Sequence, residues 1–151
     1  MTMHTFILAA AFTLFSSLAW SQDPALGQWY TVDDENGEIK SLVTLSQAED
    51  GTMVGVITKI LKKDAGSGLC EKCDGKMKDQ PIEGMQFIWG VSNTAEGQWE
   101  EGKLLDPESG TVYSGNITLA DDPNKLEVRG YVGFSLFGRS QTWQRVENSD
   151  I

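Results

Sequence analysis

The pair Cys70-Glu71-Lys72-Cys73 is where residue type and spacing in this 151-residue sequence first suggest chemistry. Two thiols three residues apart can form a disulfide or serve in thiol–disulfide exchange. Exchange needs the first Cys at a helix N-terminus or beside a cation, which lowers its pKa. Here Gly66-Ser67-Gly68 precedes the pair and Asp74-Gly75 follows it, which reads as turns, and no βαβ pattern surrounds it. The expectation is a structural disulfide suited to an oxidising compartment, with redox catalysis as the alternative. A ring this small contributes about 2 kcal/mol in the chain-entropy model, so its work is local. A zinc site would need four ligands, and there is no second Cys pair to complete one.

The other reactive side chains are charged. Lys59, Lys62, Lys63, Lys72, Lys76 and Lys78 are six of the 12 basic residues, gathered in one twenty-residue window of a chain with net charge −10. Such a window could attract an anionic headgroup or carboxylate, or could simply be solvated, with Asp64, Glu71 and Asp74 interleaved. Glu100, Glu101, Asp106 and Glu108 could contain a paired-carboxylate site. Asp106-Pro107-Glu108-Ser109-Gly110 reads more simply as a turn. The acidic stretch from Asp33 to Glu38 lacks calcium-loop spacing. His4 is the only histidine. If it is removed with a leader, the mature chain has no imidazole for Ser-His-Asp or Cys-His catalysis or for a His-based metal site. The expectation is therefore a protein that is not an enzyme and carries no metal or cofactor. The acidic balance also disfavours nucleic-acid binding.

That leader is legible at the N-terminus. Phe6 to Leu18 is apolar apart from Thr13, Ser16 and Ser17, too short to span a bilayer, and ends in Ala19-Trp20-Ser21. This is the layout of a signal peptide over 1–21, with cleavage expected after Ser21 and a periplasmic or secreted product. The charged residues all lie in the mature chain, 22–151, whose length suits a single domain. No second apolar run approaches membrane length, so stable membrane insertion is not expected.

The elements that must position these side chains read as strands. They are Gly27–Val32, Ile39–Gln47, Met53–Leu61, Gln86–Asn93, Gln98–Leu105, Thr111–Leu119, Lys125–Val132 and Arg139–Val146. Alternation places Val43 with Leu45, Val54 with Val56, Thr58 and Ile60, and Leu126 with Val128 and Val132. A break is expected at Glu101-Gly102. About eight strands with frequent turns predict an all-β, antiparallel up-and-down barrel, with a β-sandwich as the alternative. Lys62 to Met85 shows no clear strand, and a connection that long is a first place to seek function.

Motifs spread along the mature chain carry a family resemblance. They are Gly27-Gln28-Trp29, the Cys pair, Pro81-Ile82-Glu83-Gly84, Leu105-Asp106-Pro107 through Gly110 and Tyr113, Arg129-Gly130-Tyr131-Val132-Gly133, and Gly138-Arg139-Ser140-Gln141-Thr142-Trp143. Together they resemble the bacterial exported family catalogued as domain of unknown function 2147. That resemblance implies a lipocalin-like barrel and no established reaction. The Gly-x-Trp opening is similar to that of lipocalins and avidins, which implies that Trp29 closes one end of the barrel. Arg139 or Arg145 would then stack on its indole.

An eight-stranded barrel can hold one small ligand or fill itself with side chains. The aromatic set Trp89, Trp99, Tyr113, Tyr131, Phe134, Phe137 and Trp143 could serve either purpose. The expected ligand is small and apolar or amphipathic, lined by Trp89, Trp99, Tyr113, Tyr131 and Phe134, with the long loop as a lid or rim. A structural or partner-binding barrel without a small ligand is the competing reading.

Overall fold

The computed structural model describes residues 22–134, 136 and 138–147, so the expected leader and Phe137 lie outside the described residues. Eight strands follow one another: β1 (Gly27–Val32), β2 (Ile39–Gln47), β3 (Met53–Ile60), β4 (Gln86–Ala95), β5 (Gln98–Asp106), β6 (Thr111–Leu119), β7 (Lys125–Tyr131) and β8 (Arg139–Arg145). Each pairs antiparallel with its sequence neighbours, and β1 pairs with β8 to close the sheet into a barrel. The sandwich alternative is thereby set aside. The closing seam is the shortest in the sheet, with two paired positions, Trp29 opposite Arg145 and Tyr30 opposite Gln144.

Alternation explains the inward face. Val43 and Leu45 of β2, Ile117 of β6, and Leu126 and Val128 of β7 are buried. The outer face carries polar residues such as the hydroxyl pair Thr44 and Thr58, 2.9 Å apart, together with Lys103, Glu127 and Thr142. This is the reverse of the apolar-out pattern of an outer-membrane barrel. No helix among the described residues is long and apolar enough to cross a membrane.

Strand β3 corrects the expected parity. Met53, Gly55 and Ile57 point inward, whereas Val54 and Val56 are only half-buried. The reason is close packing at Gly55, where a Cβ would lie 3.0 Å from side-chain atoms of both Ile88 and Leu45. Val132 is likewise exposed, because β7 ends at Tyr131. The break expected in β5 is a bulge: Glu101 adopts φ 64° and the register to β6 shifts between Trp99 and Gly102.

The up-and-down order sorts the connections between two ends. Segments 48–52, 96–97 and 120–124 lie at one end, and 33–38, 61–85, 107–110 and 132–138 at the other. The first end is closed. Trp29 is fully buried there, its Nε1 donating to the Ala25 carbonyl at 2.9 Å, and the Arg145 guanidinium lies 4.1 Å from the ring centroid. Arg145 also donates to the carbonyls of Pro24, Leu26 and Pro123 at 2.5, 3.4 and 3.2 Å. Partial burial lowers its pKa, but an arginine stays charged throughout the working range.

Candidate ligand-binding cavity

The other end is open. A cavity of about 870 Å³ runs down from it between the four connections at that end. Its deep walls are apolar, formed by Ile57, Phe87, Leu104, Val128 and Trp143 from five different strands. The Phe87 and Trp143 rings lie 6.1 Å apart at 31°, within the range of a favourable aromatic pair. Polar groups are few on these walls. Trp143 Nε1 donates to Gln141 Oε1 at 3.3 Å, and the hydroxyls of Thr31 and Ser41 pair at 2.7 Å. Tyr113 and Tyr131 line the upper wall.

The mouth is charged, and two ion clusters tie its loops together. Glu108, on the β5–β6 turn, accepts from Lys40 at the start of β2 at 3.1 Å and, through its other oxygen, from Lys62 on the long β3–β4 connection. Lys40 also faces Asp33 at 3.8 Å. The Lys62 hydrogen bond, aided by Lys40, holds the Glu108 carboxyl below its usual pKa. Across the mouth, Arg139 grips Asp34 with two donors at 2.7 and 2.8 Å and reaches Glu35 at 3.1 Å. That grip lowers the Asp34 pKa and raises that of Arg139.

The long connection is more ordered than its sequence suggests. Leu69 bridges Pro81, Cys70 N donates to the Gln80 carbonyl and Ile82 N to the Gly68 carbonyl, both at 2.8 Å. Gly75–Met77 adds one 3-10 turn. Cys70 and Cys73 form a disulfide with Cα atoms 5.3 Å apart, and both are fully buried, at 0% and 1% exposure. The disulfide sits against the β5–β6 turn, with Cys70 Sγ in contact with the Pro107 carbonyl at 3.5 Å. Gly110 makes this docking possible: it has φ +74°, and a Cβ there would lie 2.0 Å from the Lys72 carbonyl oxygen. Leu69, Glu71, Lys72 and Ile82 of this lobe line the cavity.

The residues singled out from sequence therefore separate. Tyr113 and Tyr131 reach the cavity. Trp89 does not: it pairs across the sheet with Lys103, whose exposed side chain points outward between inward Gly102 and Leu104. Trp99 is buried at the closed end, its Nε1 donating to Asp23 Oδ2 at 2.9 Å. Phe134 is exposed on the β7–β8 connection. Of the two arginines, Arg145 stacks on Trp29. Arg139 stands at the mouth because β8 begins at the open end. Ile57, Phe87, Leu104 and Val128 were not among the expected lining residues. The parity of Ile57 with Met53, on either side of Gly55, is the signal that would have found the first of them.

The acidic stretches act as turns. Asp33 Oδ1 accepts from the backbone of Glu35 and Asn36, and Asp106 accepts from Glu108 N and Ser109 Oγ. Among the described residues no group of three or more His, Cys, Asp or Glu is placed to hold a metal ion.

Residues 27–145 match the model of the family described as "Uncharacterized protein conserved in bacteria (DUF2147)". Among solved structures, protein HP1028 of Helicobacter pylori, which belongs to the lipocalin family, superposes with TM-score 0.69 at 17% identity, covering 83% of this chain and 84% of that one. At this identity the likeness is one of fold. No curated protein matches the chain.

Proposed function

The chain belongs to this bacterial family, and from that premise we propose that it is an exported barrel binding one small amphipathic molecule, apolar body inward and polar head at the mouth. The observation that carries the reading is the cavity of about 870 Å³, closed at one end and open at the other. A volume of this order suits one small ligand, and an apolar depth with few polar groups is the usual lining of such sites. At the mouth, Lys40 and Lys62, held side by side by Glu108, present two cations to a carboxylate or phosphate head. Export is supported by the apolar N-terminal run and by a disulfide, which persists in oxidising compartments.

The Cys pair fits a staple better than a redox centre. Exchange begins with attack on an accessible sulfur, and both sulfurs lie beneath the lobe they hold.

The test is direct. Protein recovered from its native envelope is extracted and the extract analysed by mass spectrometry, while the emptied protein is titrated with the fluorescent probe N-phenylnaphthylamine. The expected result is a stoichiometric amphipathic compound that displaces the probe. Val128→Phe, which fills the cavity from β7, abolishes both. An empty extract together with no probe binding sinks the reading.

A further inference from the structure

Among the described residues the exposed large apolar side chains are Ile39, Leu61, Leu69, Val112, Val132, Phe134 and Leu136. Their positions in the chain put all of them at the same end. Ile39 begins β2, Leu61 follows β3, Leu69 lies in the long connection, Val112 is near the start of β6, and the last three belong to the β7–β8 connection. That is the open end. The closed end shows none among the described residues. Scattered exposed apolar residues are ordinary, but here they surround one opening, and Val132 and Leu69 also line the cavity.

The most prominent are Val132, Phe134 and Leu136, at 67%, 76% and 83% exposure on a single connection. Lys59, Lys63, Lys72 and Lys76 are exposed at the same end and make no ion pair within the described residues. Glu38, Asp64, Glu71, Asp74 and Glu83 share the end, equally exposed and outside any ion pair within the described residues, so it is not a one-sign electrostatic patch. Apolar insertion leads, and the lysines match the phosphates of a headgroup layer.

We propose that the open end docks on a phospholipid bilayer, with Phe134 and Leu136 inserted among the lipids and the cavity mouth facing the membrane. A bilayer is the partner that covers a discontinuous apolar collar and also supplies an amphipathic molecule to the opening it surrounds. The docking stands on the collar alone; its use as a loading route rests on the ligand-binding reading.

The experiment is flotation of the purified protein with protein-free vesicles of phosphatidylethanolamine and phosphatidylglycerol. The expected result is co-flotation, at least about a hundred-fold weaker for Phe134→Ser combined with Leu136→Ser, as the loss of two inserted apolar side chains requires. Glu127→Gln on the outer wall floats like the parent. N-phenylnaphthylamine titration without vesicles reads the cavity separately, and the double variant retains it, which also shows that it is folded. Absence of flotation, or flotation unchanged by the double variant, overturns the proposal whatever the probe does. So does a dimer in solution that the double variant dissociates, because the collar would then be covered by a second copy.

Discussion

Arg145 lies over the indole of Trp29, 4.1 Å from the ring centroid, and the two residues face each other across the β1–β8 seam. One side chain thus joins the first strand, the last strand and the β6–β7 turn, through the Pro123 carbonyl. Arg145→Ala removes the stacking and leaves the Pro24 and Pro123 carbonyls without that donor. The expected loss is about 2 kcal/mol, read as a lower urea midpoint at unchanged slope. Arg145→Lys recovers little of it, since an ammonium cannot both stack flat and reach several carbonyls.

Gly110→Ala is expected to cost about 2–4 kcal/mol, because it combines a left-handed backbone with a clash against the Lys72 carbonyl. Its diagnostic is local as well as global. Hydrogen exchange rises across the 61–85 connection, and probe affinity falls as the cavity wall shifts.

Reducing the disulfide, or Cys70→Ser with Cys73→Ser, lowers global stability by only about 2 kcal/mol, because the ring it closes is so small. Exchange protection at Cys70 N and Ile82 N drops further than the global change requires. Equal loss everywhere would show that the lobe unfolds only with the barrel.

Acid loosens the mouth. Glu108 and Asp34 have lowered pKa values in the folded protein, the first through Lys62 and Lys40, the second through Arg139. A depressed carboxyl contributes stability above its ordinary value, 4.5 for Glu and 3.8 for Asp, and the contribution is lost as pH falls through the lowered value. Ligand release is therefore expected to accelerate as pH drops below about 4.5, measured by stopped-flow probe dissociation. Glu108→Gln releases faster at neutral pH and shows a flatter acid response. Both residues are substantially exposed, so high salt weakens the same effect.

Much of the barrel is legible in the sequence. Gly27–Val32, Ile39–Gln47 and Thr111–Leu119 are readable residue for residue, because turn-forming residues bound each run and apolar alternation fills it. Parity in β3 is not, because Val54 and Val56 suit either face of a strand and the deciding fact is the contact of Gly55 with Ile88 and Leu45. The cavity is harder still. Ile57, Phe87, Leu104, Val128 and Trp143 are far apart in the chain and meet only through the register of five strands. Trp89 and Trp99 attract attention by residue type, yet one faces out and the other is sealed beneath the N-terminal segment. The ion clusters are equally hidden, since Glu108 and Lys40 are brought together by barrel closure rather than by spacing.

The two-position seam between β1 and β8 has a kinetic meaning. Every other junction in the sheet joins strands adjacent along the chain, and all but β3–β4 form across seven residues or fewer. The last junction must bring together nearly the whole described length for two paired positions, and it carries the largest single loop-closure cost. The molecule is then a curled ribbon held shut by a latch, and the Arg145–Trp29 contact is the pin. Its loss should show in the opening rate of the barrel more than in the rate at which the ribbon forms.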